Sequence, residues 1–327
     1  MNNLYPLKFK PVFKEKIWGG EKIRTKLGLN FSPLPNCGEA WILSGVPGSE
    51  TKVSNGFLKG NTLTELMEVF MDDLVGEEIF LNNEKEFPIL IKFIDSRDWL
   101  SVQVHPDDAV AKRQKIGHGK SEMWYIMDAE KNAELITGFN GIVGKETYLE
   151  ALHEKKLRDI LNAVKVRKGD VFYIPAGRIH ALGPGILLAE IQQTSDTTYR
   201  IYDWDRIDKK GRSRELHTEL ALDAVDFSPV SNYRTNYRKL KNHTENLIDT
   251  SHFSVNILEF DQPVKKDYTL LDSFVLYVCV EGAAMIHSYG KKESLKTGET
   301  ILIPAVMDHI VLEPDGVSKI LEVFINK

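Results

Sequence analysis

Cysteine is nearly absent: only Cys37 and Cys279 occur in 327 residues, which rules out a disulfide framework and leaves a thiolate-rich zinc site without ligands. No apolar run approaches the roughly 18 residues that a membrane-crossing helix needs. The opening residues, Met1 to Pro6, lack the charged and apolar regions of a secretory signal, so the expectation is a reduced, cytoplasmic protein. Neither sign of charge dominates: 42 Lys and Arg face 47 Asp and Glu, a net charge of -5, which argues against a broad nucleic-acid surface but allows a local cationic pocket. With 23 Gly and 13 Pro there is no low-complexity excess, and fibrous and disordered classes are excluded. The length exceeds the roughly 250 residues at which single cores stop growing, so two packed units are expected.

What the chain does have is many short β-like runs closed by Gly, Pro, Asn or Asp, such as 89–94, 171–175 and 274–278. This texture predicts a mainly β protein of sandwich or barrel type rather than alternating βαβ units. Helical patterns are fewer, at 62–75, 145–163 and 215–225, and read as insertions around a β core. Asp107 and Asp108, after Pro106, suit the start of a helix over 109–114. One repeat stands out: Gly169, Pro175 and His180 recur at the same offsets as Gly298, Pro304 and His309. The Gly turns the chain into a strand, the Pro ends it, and the His opens the next. Two related β units follow, expected at 1–230 and 231–327, with the polar stretch 227–245 as connector.

The strongest chemical cluster lies in the first unit. Gln103 and His105, two apart in an extended strand, face the same way; Glu122 opens a later apolar run and His180 ends the repeat element. Two imidazoles, a carboxylate and an amide oxygen form a mixed nitrogen and oxygen set suited to a borderline metal such as zinc, with room for substrate. A lone His after a strand is ordinarily a hydrogen-bonded core or rim residue, and that reading is accepted for His118, His153, His217, His243, His252 and His287. The second unit offers His309 but no Gln-x-His pair and no equivalent Glu, so it is expected to keep the fold without a metal.

At these residues the chain resembles the cupin superfamily, and more closely the type I mannose-6-phosphate isomerases. The resemblance runs through Trp18-Gly19-Gly20, Gly38-Glu39-Ala40-Trp41, Ser101-Val102-Gln103-Val104-His105-Pro106-Asp107, Lys120-Ser121-Glu122, Pro175-Ala176-Gly177 to His180-Ala181, and Glu190 to Arg200. It implies two cupin-type barrel or jelly-roll domains with helical insertions, one zinc ion on Gln103, His105, Glu122 and His180, and a phosphorylated hexose as substrate. By the same resemblance Ser101 and Lys120 line the active site, Arg200 is tied to catalysis, and Glu190 is an active-site carboxylate. The implied reaction interconverts mannose 6-phosphate and fructose 6-phosphate through an enediolate. Glu190 is the first choice of base and Lys120 the alternative. After Arg200 the chain departs from longer members, reading Ile201-Tyr202-Asp203-Trp204-Asp205-Arg206 without their Lys, and it looks like the short bacterial form. The phosphate anchor is therefore open among Arg206, Arg178 and Lys120.

Blander readings stand beside these. Arg200 could pair with Asp196 or Asp203, Lys120 could be a loop charge near Gly117 and Gly119, and Tyr199, Tyr202 and Trp204 could be packing rather than a sugar platform. The rival functions are an iron cupin dioxygenase and a non-catalytic sugar-binding cupin. A nucleic-acid or membrane partner is not expected.

Overall fold

The computed structural model describes residues 4–83, 86–207 and 210–326. The chain is mainly β, as its texture predicts, and builds two sandwiches. In the first, a seven-stranded antiparallel sheet takes its strands in the order Arg234–Thr235, Val171–Ile174, Glu122–Ala129, Ile186–Gln193, Ile89–Ser96, Glu39–Leu43 and Val12–Lys14. It faces a five-stranded sheet ordered Tyr199–Tyr202, Val102–Val104, His180–Leu182, Glu134–Phe139 and Leu161–Lys165. The second sandwich repeats the plan with seven and four strands.

Alternation decides what each strand buries. Along Ile89–Ser96, Ile91 and Phe93 point into a large core shared with the second sandwich, to which Val255, Leu276 and Leu321 also belong. Ile94 points the other way, into the first sandwich, with Trp124, Phe172 and Leu188. Both faces of the central strands are thus covered, which is why they read as almost unbroken apolar runs. Lys92 and Glu190 interrupt those runs, and both fall on the inner face as direct cross-strand partners.

The repeat elements fold alike. Gly169 and Gly298 both hold positive φ, 87° and 88°, at the turn that launches a strand, a conformation that a side chain would strain. Thr62 caps the helix Leu63–Val75 in a reciprocal box with Glu65. Asp107 caps Asp108–Gln114, accepting from Val110 N at 2.7 Å.

Other expectations change. The pattern at 145–163 is a helix only over Lys145–His153; a 3-10 turn, Leu157–Ile160, and a strand, Leu161–Lys165, follow it. Lys155 in the left-handed region breaks the helix, and the freed segment pairs with Glu134–Phe139 as an edge strand. The helix expected at 215–225 spans Thr218–Ala224. The stretch 227–245 is not merely a connector: Arg234–Thr235 joins the first large sheet, and the first strand of the second sandwich, His243–Asp249, begins within it. Strands from the start of the chain also cross over. Leu7–Lys10 pairs with Thr300–Ile303, and Lys52–Val53 extends the same sheet. Among the described residues no helix is long and apolar enough to cross a membrane.

Candidate functional site

The site lies inside the first sandwich. Register brings its ends together: His180 sits opposite Gln103 across two strands of the smaller sheet, and Arg200 flanks Gln103 from the other side. Glu122 comes from the facing sheet, where it opens Glu122–Ala129 opposite Ile174. The loop after Pro175 is pinned to the His105 end of its strand by Gly177 N, which donates to the His105 carbonyl at 2.9 Å. Loops alone could not fix four side chains from four chain segments; adjacent strands do so by hydrogen-bonded register.

His105, Glu122 and His180 form a buried cluster whose ligating atoms all lie within 4.8 Å of one another. His105 Nδ1 donates to the Thr197 carbonyl and His180 Nδ1 to the Arg178 carbonyl, both at 2.9 Å. These bonds fix the tautomer, so each Nε2 keeps its lone pair toward the centre. Burial, aided by the Lys120 charge, drives the His105 pKa down to about 3, and burial lowers that of His180 as well. Both rings are therefore neutral, the form that binds metals. Burial alone would raise the Glu122 pKa, but the Lys120 ammonium beside it holds it well below the usual carboxylate range. Gln103 brings its amide to 3.1 Å from His180 Nε2. The Lys120 ammonium donates to His105 Nε2 at 3.0 Å and to Glu122 Oε1 at 2.5 Å, so a cation already bridges two of these lone pairs. The donor set fits a borderline divalent metal.

A cavity of about 310 Å³ opens beside the cluster, lined by Ser101, Gln103, Lys120, His180, Glu190 and Arg200 among others. Glu190 accepts from Trp124 Nε1 at 2.9 Å through Oε2. Its Oε1 is buried without a hydrogen bond, although Lys92 Nζ stands 3.4 Å away. Burial and the nearby Glu122 charge raise the Glu190 pKa to about 7, against the opposing pull of Lys92 and Lys120. Arg200 donates from Nη1 to the Glu215 carbonyl at 2.8 Å, and its buried Nε has no partner. Asp203 instead pairs with Arg206 and Arg214. Lys120 is no loop charge, being 4% exposed. Trp204 and Tyr202 pack together and with Trp99 outside the cavity, which favours packing over a sugar platform.

Several further residues line this cavity without a motif in the sequence to mark them. Lys92 stacks on the Trp41 ring at 4.7 Å and faces Glu190. Burial opposes ionisation of Glu39, yet Lys92, Lys16 and the Trp41 indole hold its pKa at about 2. A charged Lys inside an apolar strand was the available signal for Lys92. Lys16 and Arg214, which also line the cavity, carried none. Of the phosphate candidates, Arg178 is turned away, donating to the Tyr173 carbonyl and stacking over Tyr233. Arg206 is held behind the cavity by Asp203 and the Trp99 carbonyl.

Comparison with known proteins gives this arrangement a lineage. Residues 6–146 match the family model for the catalytic domain of type I phosphomannose isomerase. The mannose-6-phosphate isomerase ManA of Bacillus subtilis is 37% identical over 94% of this chain and 96% of its own length. The mannose-6-phosphate isomerase of Streptococcus mutans is 35% identical over 91% of this chain and 92% of its own. A crystal structure of the Bacillus subtilis mannose 6-phosphate isomerase superposes with a TM-score of 0.87 at 33% identity, covering 97% of this chain and 99% of that one. Likeness of sequence and of fold thus extend together over both sandwiches, and the chain belongs to the type I phosphomannose isomerases, enzymes of the cupin fold.

Proposed function

We propose that the protein interconverts mannose 6-phosphate and fructose 6-phosphate with one zinc ion held by Gln103, His105, Glu122 and His180. The observation that carries this reading is the meeting, in one cavity, of a buried metal-type cluster and a carboxylate poised near neutrality. Moving from aldose to ketose takes a proton from C2, delivers one to C1, and shifts the carbonyl from C1 to C2 through an enediolate. Zinc supplies Lewis-acid polarisation of the sugar oxygens when bound.

The protein's own groups do the rest. Glu190 is the base: a carboxylate with a pKa of about 7 is part-ionised at neutral pH, and its Oε1 has no competing donor. It takes the proton from one carbon and returns it to the next. Lys92 and Trp124 hold it in place from neighbouring strands. Arg200, with its unpaired Nε, stabilises charge developing on the sugar oxygen. Ser101, buried in the cavity wall, orients a sugar hydroxyl. Lys120 binds substrate once its bonds to the ligand lone pairs are given up, and it stands as the alternative proton carrier.

The test is conversion of mannose 6-phosphate to fructose 6-phosphate before and after chelation, with divalent ions added back one at a time. Activity should disappear with the metal and return best with zinc. A folded, zinc-loaded sample that converts nothing would overturn the isomerase reading and favour a sugar-binding role. Iron-dependent consumption of oxygen, with no ketose phosphate formed, would favour the oxygenase alternative.

A further inference from the structure

A hexose 6-phosphate carries its dianion at the end of the molecule away from the carbons that exchange the proton. Its partner must therefore lie in the cavity but away from the metal ligands. Five cations line the cavity: Lys16, Lys92, Lys120, Arg200 and Arg214. Each lysine has its own carboxylate. Lys16 is 2.9 Å from Glu39, Lys92 3.4 Å from Glu190, and Lys120 2.5 Å from Glu122. The arginines differ. Arg200, Arg206 and Arg214 gather around Asp203; burial first, then the Arg214 and Arg206 charges, disfavour the charge on Arg200 against the pull of Asp203 and Glu215. Asp196, exposed at the rim, is the other carboxylate of the lining. Surplus positive charge is therefore concentrated at one end of the cavity, beyond Arg200.

We propose that Arg214 is the phosphate-binding residue, a step that rests on the isomerase reading above and adds to it. Asp203 grips Arg214 along one edge of its guanidinium, with Nε 2.7 Å from Oδ2 and Nη2 on Oδ1. A guanidinium held along that edge keeps its other edge for a second oxyanion, a geometry suited to phosphate. Arg206 binds the same Asp203 but spends Nη1 on the Trp99 carbonyl at 2.6 Å, and it does not line the cavity. The loop that carries Asp203 is strained: Trp204 and Asp205 both adopt positive φ, 57° and 53°. Trp204 Nε1 anchors it to the Leu100 carbonyl at 2.7 Å, next to Ser101. Strain of this kind persists where the surroundings impose it, and here it sets the carboxylate that aims Arg214.

The experiment uses the full-length, metal-loaded enzyme and three variants: Arg214→Ala, Arg214→Lys and Arg206→Ala. For Arg214→Ala, KM for mannose 6-phosphate should rise about 10- to 100-fold with little change in kcat, as expected for losing a charge-assisted contact made equally in ground and transition states. Inorganic phosphate, titrated by calorimetry, should bind the parent and weaken in parallel with KM. Arg214→Lys should fall between, and Arg206→Ala should leave KM and phosphate affinity nearly unchanged. The proposal is overturned if Arg214→Ala leaves both within about twofold of the parent, or if Arg206→Ala shifts both as far. Should Arg214→Ala fail to fold, unchanged KM in Arg214→Lys would have the same meaning. A parent that binds phosphate through Arg214 yet converts no sugar phosphate would fail the isomerase reading alone.

Discussion

The two sandwiches share a register, and laying one over the other shows what makes a site. In the first, Ile174 faces Glu122; in the second, its counterpart Ile303 faces Val275. Gln103 opposite His180 becomes Asp267 opposite His309. His180 is 1% exposed, whereas His309 has a side chain 65% exposed and bonds to its neighbour Asp308. The inner row Lys92, Glu190, Trp124 has the counterpart Asn256, Glu322, Tyr277. Glu322 is thus a buried acid at the position of Glu190, but it is fully engaged. Lys266 Nζ lies 2.8 Å and Asn256 Nδ2 2.9 Å from it, and the Tyr268 hydroxyl closes the group. Among the described residues only the first sandwich gathers three ligating side chains. A buried acid that is satisfied holds a core together, while one left short of a partner beside a cavity is available for chemistry.

Matched substitutions in the two sandwiches should have unequal effects, above all at the histidine cluster. Replacing His180→Ala should remove bound zinc and reduce turnover by roughly 10³-fold or more, since the polarising charge goes with its ligand. His309→Ala should leave metal content and turnover at the parent's values, as elemental analysis and a steady-state assay would report. Equal losses from both would mean that the second sandwich also takes part. Next come the paired acids. Glu190→Gln should lower kcat by about 10²- to 10⁴-fold with the fold intact, the range for losing a general base. Glu322→Gln should spare kcat and cost about 1–3 kcal/mol in chemical unfolding, through its disturbed hydrogen bonds.

The pH dependence sharpens the same contrast. A base must be ionised, so kcat should fall on the acid side as Glu190 takes up a proton, near pH 7 for the metal-free surroundings and lower once a bound cation offsets the Glu122 charge. Because Lys92 favours the ionised form, Lys92→Met should move that limb to higher pH; a limb that stays in place would disconnect Lys92 from the base. Stability follows by linkage. The folded pKa of Glu190 is raised from 4.5 to about 7, so its contribution is full below 4.5 and is lost as pH rises through 7. Glu39 behaves oppositely, its contribution being present above 4.5 and lost as pH falls toward about 2. Unfolding free energies of the parent and Glu190→Gln, compared from pH 4.5 to 8, should therefore diverge in the variant's favour as pH rises. The smallest effect belongs to the seam between the sandwiches. The helix capped by Thr62 receives the amide of Ala305 on its Leu74 carbonyl at 3.0 Å. Thr62→Ala should cost about 1 kcal/mol in denaturant unfolding and leave kcat unaltered.

Local physics made much of this legible in the sequence. Gly, Pro and His at matched offsets announced two related β units, because turn, strand end and strand start each need that residue type. Gln103 and His105 could be placed on one face because side chains alternate along a strand, and Asp107 could be recognised at the start of a helix. The pattern at 145–163 misled for an equally local reason: Leu161 satisfies a helical stripe and an edge strand alike, and pairing with Glu134–Phe139 decided between them.

What the chain alone could not decide was everything that depends on partners distant in sequence. That Lys92 meets Glu190, that Leu7–Lys10 crosses into the second sandwich, and that Arg214 rests on Asp203 are outcomes of register and loop placement. The same holds for charge. Glu39, Glu122 and Glu190 are one residue type with one ordinary pKa, and the folded protein separates them by burial and by the cations each one meets. Residue type sets which chemistry is available, and tertiary packing sets the dielectric surroundings and distances that keep one glutamate ionised beside two imidazoles and raise another toward neutrality.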